Sequence, residues 1–150
     1  MTYYLSLGAN IGEREATLHQ AIQLIEQQIG AVLRCSSFFY SEPWGFTSVH
    51  PFCNLCCLVQ TELAPLAMLE ATQTIERQLG RTHKSTNGHY SGRTIDIDLI
   101  LAFDDEGKEI KCQIPNPKSP MSNDMLLVLP HPLYKQRDFV TTPLSEIFDI

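Results

Sequence analysis

The chain has 150 residues, 43% of them hydrophobic, and carries 17 acidic against 11 Lys and Arg side chains, a formal net charge of −6. That length suits a single domain over residues 1–150, large enough to bury a core without disulfide or metal staples. The acidic balance argues against nucleic acid or an anionic membrane surface as partner, and no apolar run reaches the ~18 residues of a membrane span.

The N-terminus opens at once on an apolar strand, Thr2–Leu7, without the basic region or cleavage-like segment of a secretory leader, so a cytoplasmic protein is expected. Gly8-Ala9-Asn10-Ile11-Gly12 reads as a turn. A helix follows from about Glu13 to Ile29, with Leu18, Ala21, Ile22, Ile25 and Ile29 as its apolar stripe and Gly30 at its end. Ala31–Tyr40 reads as a second strand, residues 41–51 as a loop, and Phe52–Glu62 as a third strand. Pro65 opens a second helix whose stripe is Leu66, Leu69, Thr72, Ile75, Glu76 and Leu79, closed by Gly80. Thr94–Ala102 is a fourth strand; beyond it the chain reads as irregular, with a turn at Asp104-Asp105-Glu106-Gly107. The order β-α-β-β-α-β predicts an α+β, ferredoxin-like sandwich, an antiparallel sheet with both helices on one face and the other face free for a site.

The most informative stretch is Arg93-Thr94-Ile95-Asp96-Ile97-Asp98-Leu99-Ile100-Leu101. At the strand period Ile95, Ile97, Leu99 and Leu101 share one face, and Asp96 and Asp98 the other. Carboxylates two apart on a strand are about 7 Å apart at Cα and can converge on one or two Mg²⁺ ions. The plain alternative is a solvated strand face. Arg93 is placed to fork a phosphate, and the span Arg77–Ile95 holds Arg77, Arg81, His83, Lys84, His89 and Arg93 with no acid, which suits a polyphosphate with its metal. Glu76 on an apolar stripe lies at the rim of the core or in a site. Phe52 and Asn54 share a face and offer ring stacking plus an amide to a flat heterocycle. Cys53 and Cys57 fall on one side of the third strand and Cys56 on the other, so they read as structural thiols and not as a metal cluster. His131 stands between two prolines, and Arg137 and Phe139 follow.

In order along the chain, Leu7-Gly8-Ala9-Asn10, Ser41-Glu42-Pro43-Trp44-Gly45, Phe52 with Asn54, Ile75-Glu76 with Gly80-Arg81, the Arg93–Leu99 motif and Pro130-His131-Pro132 with Arg137-Asp138-Phe139-Val140 resemble the hydroxymethyl-dihydropterin pyrophosphokinase family. The resemblance implies transfer of pyrophosphate from ATP to the hydroxymethyl group of a reduced pterin, with release of AMP, in folate biosynthesis. It implies that Asp96 and Asp98 hold two Mg²⁺ ions and, with Arg81 and Arg93, carry the chemistry. It implies that Phe52 and Phe139 sandwich the pterin while Asn54 and the Ser41, Glu42, Pro43 and Trp44 segment read its edge. Gln73, Glu76, Arg81, Lys84, Arg93, Leu99, His131 and Arg137 then surround ATP. The expected partners are these two small molecules, with a monomeric enzyme. The chain departs from the family pattern at Ser91-Gly92, before Arg93, and in a longer 103–129 segment. Two competing readings are another Mg²⁺-dependent nucleotidyl or phosphoryl transferase on this fold, which needs no pterin cradle, and a non-catalytic pterin- or nucleotide-binding domain, against which Arg93, Asp96 and Asp98 speak.

Overall fold

The computed structural model describes residues 1–10, 12–41, 52–80, 95–118 and 124–148. Its elements are β1 (Thr2–Ala9), α1 (Arg14–Gln28), β2 (Ala31–Cys35), β3 (Phe39–Ser41), β4 (Phe52–Gln60), α2 (Pro65–Gln78), β5 (Asp96–Phe103), β6 (Cys112–Pro115), β7 (Met125–Leu129) and α3 (Asp138–Ser145). The main sheet runs β2-β4-β1-β5, with β3 also paired to β4, and every pairing is antiparallel. This is the expected α+β arrangement, and α1 and α2 pack on one face of it.

Alternation on β1 sorts the molecule into two cores. Tyr3, Leu5 and Leu7 point toward Leu18, Ala21 and Ile25 of α1 and Met68 and Ile75 of α2. Tyr4 points the other way, with Cys56, Ile100 and Leu101, toward Tyr134, Val140 and Leu144. Gly30 fits its close approach to β4 because a Cβ there would lie 2.0 Å from the Gln60 carbonyl oxygen. Thr61 Oγ1 donates to Ile29 O at 2.8 Å and fastens the same junction. Pro65 sits in the first turn of α2, where its missing N–H costs nothing.

Three expectations need correction. The predicted second strand breaks at residues 36–38 into β2 and β3: the Ser36 N–H still donates to Cys56 O at 2.8 Å, but the Cys56 N–H is taken at 2.9 Å by Ser36 Oγ in place of its carbonyl oxygen. The tail is not irregular: β6 and β7 pair as a hairpin, and α3 covers part of the face expected to be free. Leu101 does not join Ile95, Ile97 and Leu99. The register shifts between Tyr4↔Leu101 and Tyr4's neighbour Leu5↔Leu99, so Ile100 is the extra residue of a β-bulge, and Leu101 turns toward α3. The predicted turn at Asp104–Gly107 forms, with the Gly107 N–H donating to Asp104 O at 3.0 Å. Among the described residues no helix is long and apolar enough to cross a membrane.

Candidate active site

Along the α3-facing side of β1 the side chains shrink from Tyr4 to Ser6 to Gly8. Where they are large, α3 packs on the sheet; where they are small, the sheet surface is hollow. A cavity of about 890 Å³ fills that hollow, lined by Ser6 and Gly8 of β1, Asp96 and Asp98 of β5, Phe39–Ser41 of β3, Phe52 and Asn54 of β4, and Leu133 with Gln136–Phe139 from the segment entering α3. Its volume suits a small-molecule site.

Register explains the floor. Gly8 pairs with Asn54 on one side and Asp96 on the other, and Ser6 pairs with Cys56 and Asp98. Directly opposed residues share a face, so Asn54, Gly8 and Asp96 form one row across three strands, spanning roughly 10 Å at the usual strand spacing. Asn54 lies over Gly8 so closely that a Cβ there would meet Asn54 Oδ1 at 2.6 Å. Asn54 is 4% exposed and its Nδ2 donates to Ser41 Oγ at 3.1 Å, which locks the amide plane. Phe52 and Phe139 both reach the cavity from opposite elements, and the Arg137 guanidinium lies 5.7 Å from the Phe139 ring centroid.

Asp96 and Asp98 are half-buried, on the cavity side, opposite a glycine and a serine that leave room above them. Among the described residues no group of three or more His, Cys, Asp and Glu is placed to hold a metal ion. Two carboxylates facing an open cavity fit Mg²⁺, which typically takes one or two protein carboxylates and completes its shell with water and phosphate oxygens.

Glu76 is neither solvated nor at the rim. It is 3% exposed, and its Oε2 accepts the Ile97 N–H at 2.8 Å. β5 pairs with β1 on its inner side and is an edge of the main sheet, so α2 supplies an acceptor to the outward N–H of the residue between the two aspartates. The His131 N–H donates to Ile100 O at 2.9 Å, which puts that residue on the same outer edge of β5. Burial lowers the His131 pKa; the Asp98 charge opposes this and the Arg137 charge adds to it. The neutral ring accepts the Leu133 N–H at Nδ1, 3.2 Å, which leaves Nε2 to carry the proton.

The structure thus brings together Ser41, Phe52, Asn54, Asp96, Asp98, Arg137 and Phe139 around one cavity. Glu76 and His131 flank β5, and Gln73 lies half-buried three residues before Glu76 on α2. Leu99 is 3% exposed, in the core beneath the sheet, so its side chain does not reach the cavity. Glu42, Pro43, Trp44, Arg81, Lys84 and Arg93 lie outside the described residues. Sequence reasoning missed Ser6, Gly8, Phe39, Tyr40, Leu133, Gln136 and Asp138 as cavity residues. Ser6 and Gly8 are put there by their register against β5 and β4, which no local pattern shows, and nothing local marks Gln136.

Residues 4–149 match the family described as 7,8-dihydro-6-hydroxymethylpterin-pyrophosphokinase. A 2-amino-4-hydroxy-6-hydroxymethyldihydropteridine pyrophosphokinase of Porphyromonas gingivalis is 44% identical over 144 residues, 96% of this chain and 88% of that protein. Proteins with the same description from Bacillus subtilis and Aquifex aeolicus are 36% and 32% identical, over 96% and 97% of this chain and 76% and 79% of their own lengths. On this similarity along nearly its whole length, the chain belongs to the 7,8-dihydro-6-hydroxymethylpterin-pyrophosphokinase family.

Proposed function

We propose that the chain performs its family's reaction in the cavity between β4, β5 and α3: transfer of pyrophosphate from ATP to the hydroxymethyl oxygen of 6-hydroxymethyl-7,8-dihydropterin, with release of AMP. The observation that carries this reading is the Asn54–Gly8–Asp96 row. It sets a heterocycle-reading amide and a carboxylate pair on one floor, with acceptor chemistry over β4 and donor chemistry at the β5 edge.

The attacking group is an alcohol of high pKa, so catalysis here is positioning and charge dispersal without a covalent intermediate. Phe52 and Phe139 hold the pterin ring between their faces, and Asn54, backed by Ser41, hydrogen-bonds its edge. Asp96 and Asp98 would hold the two Mg²⁺ ions of this reading, and the ions would supply Lewis-acid polarisation and charge neutralisation on the phosphoryl oxygens. Glu76 fixes the Ile97 peptide and with it the spacing of the two carboxylates. His131, neutral and protonated at Nε2, donates to the ATP side, and Arg137 adds a fixed positive charge at the cavity. Gln73, Arg81, Lys84 and Arg93 complete the ATP contacts in this reading. Two cores back to back on one sheet support residues 1–150 as one domain; the net charge of −6 speaks against nucleic acid or an anionic membrane as partner, and in this reading the enzyme is a cytoplasmic monomer acting on small molecules.

The test is AMP release from Mg-ATP with and without the hydroxymethyl pterin, for wild type and Asp96→Ala. AMP that depends on the pterin and disappears in the variant supports the reading. AMP formed without pterin, or undiminished in the variant, overturns it.

A further inference from the structure

Cys35 and Cys57 take no part in the pyrophosphate-transfer site, yet they face each other across the β2–β4 pair. The neighbouring pair sets the geometry. The Ser36 N–H donates to Cys56 O at 2.8 Å, so Ser36/Cys56 is a hydrogen-bonded position and Cys35/Cys57, one step along, is a non-hydrogen-bonded one. Opposed residues at such positions have Cα atoms about 4.5 Å apart with side chains on the same face, inside the range of about 4.4–6.8 Å that a disulfide spans. The bulge in this ladder falls between Val32 and Arg34, so the register is regular where the cysteines lie. Accessibility divides their roles: Cys35 is exposed on the sheet edge and Cys57 is fully buried.

We propose that Cys35 and Cys57 form a peroxide-reactive thiol pair that closes into a cross-strand disulfide, with Cys35 as the thiol that attacks peroxide and Cys57 as the resolving thiol. The hydrogen bond from Cys57 lowers the Cys35 pKa, against opposing effects of burial and the Glu26 charge; the Cys57 pKa is raised, first by that same pairing and then by burial. Of the two thiols the outer one is therefore the first to ionise, and the inner one keeps its proton longer. Cys35 S⁻ attacks one oxygen of hydrogen peroxide, the O–O bond breaks, and hydroxide leaves to be protonated to water. The resulting Cys35 sulfenic acid is attacked by the Cys57 sulfur; the S–O bond breaks, and hydroxide departs as water with the Cys57 proton. Two thiols are oxidised and one peroxide is reduced to two waters. The closed ring contains Ser41, Phe52 and Asn54, so oxidation fastens β2 to β4, the strand that itself carries the cavity-facing Phe52 and Asn54.

The test exposes the reduced full-length protein to equimolar hydrogen peroxide, alkylates free thiols, and maps peptides without reduction. The expected product is a Cys35–Cys57 cross-linked peptide within the monomer, reversed by dithiothreitol, with a thermal midpoint above that of the reduced protein. Cys35→Ser abolishes the peroxide consumption, and Cys57→Ala, which also removes the hydrogen bond that lowers the Cys35 pKa, leaves a more slowly formed Cys35 sulfenic acid that dimedone traps. Fast reaction at Cys112, intermolecular Cys35 dimers, Cys35 sulfinic acid without cross-link, or unchanged consumption in Cys35→Ser overturns the proposal. Because Cys35 is exposed, Cys35→Ser decides the matter even where the core variant fails to fold.

Discussion

Gly8 shows how one missing side chain makes a site. It pairs with Asn54 and Asp96 at once, and a Cβ in its place would press on Asn54 Oδ1. Gly8→Ala is expected to raise the KM for the pterin about tenfold, the loss of roughly one well-made hydrogen bond, while the Mg²⁺ dependence of kcat stays put; steady-state kinetics with each substrate varied checks this. Asp96→Ala and Asp98→Ala are each expected to lower kcat by about 10²-fold or more with little change in thermal midpoint, since both carboxylates are half-buried around an open cavity. A variant of either with full activity refutes the metal role. Glu76 acts one step back from the chemistry. Glu76→Ala strands the buried Ile97 N–H, a cost of about 1–3 kcal/mol or roughly 2–12 °C in midpoint, whereas Glu76→Gln keeps an acceptor and is expected to recover most of that loss in a melting curve. Protection of the Ile97 amide from hydrogen exchange should track the same order.

At the scale of elements, α3 is a wall as well as a cover. Its buried Val140 and Leu144 pack on Tyr4, Cys56, Ile100 and Leu101, while Arg137 and Phe139 at its start face the cavity. Leu144→Ala leaves a void in that contact and is expected to cost about 2–5 kcal/mol. The KM for the pterin should rise with it, because Phe139 is held by the same helix; urea unfolding and kinetics on one variant test both halves. Most elements facing α1 and α2 were legible beforehand, since apolar residues at period two and at three-and-four spacing name their own type. The β2–β3 break was not, because it depends on Ser36 bonding to a residue of another strand. Leu101 was misassigned for a related reason: a bulge shifts the period, and only pairing with Tyr4 and Leu5 reveals the extra residue. The β6–β7 hairpin and α3 were not read from the sequence; the structure accommodates Pro115 at the end of a strand and Pro143 inside α3.

For the whole molecule, two cores back to back on one sheet bury protonated groups at its centre. Burial raises the Cys56 thiol to about 12, with the Ser6 hydrogen bond opposing and the Glu146 charge adding. Burial likewise raises Tyr3 to about 12, the Cys112 charge adding to it. Both groups start from ordinary values of 9.0 and 10.0. Between those values and about 12 the unfolded chain sheds protons that the folded chain retains, so stability is intact below pH 9 and falls progressively above it. Urea midpoints measured from pH 8 to 11 are expected to decline, and Cys56→Ala to flatten part of that decline.

Composition, periodicity and motif order were enough to determine the α+β class, the alternating order of strands and helices, and the family, because these depend on local spacing and on residues that the chemistry requires. The shared face of Asp96 and Asp98, and that of Phe52 and Asn54, followed from strand geometry alone. Tertiary structure decided what depends on register between distant segments. It set Asn54, Gly8 and Asp96 in one row, turned Glu76 from a misplaced charge into the acceptor for Ile97, and brought α3 across the sheet to wall the cavity. It also opposed Cys35 to Cys57. Such pairings join residues twenty or more positions apart, where no local pattern constrains them and only the packing of the sheet does.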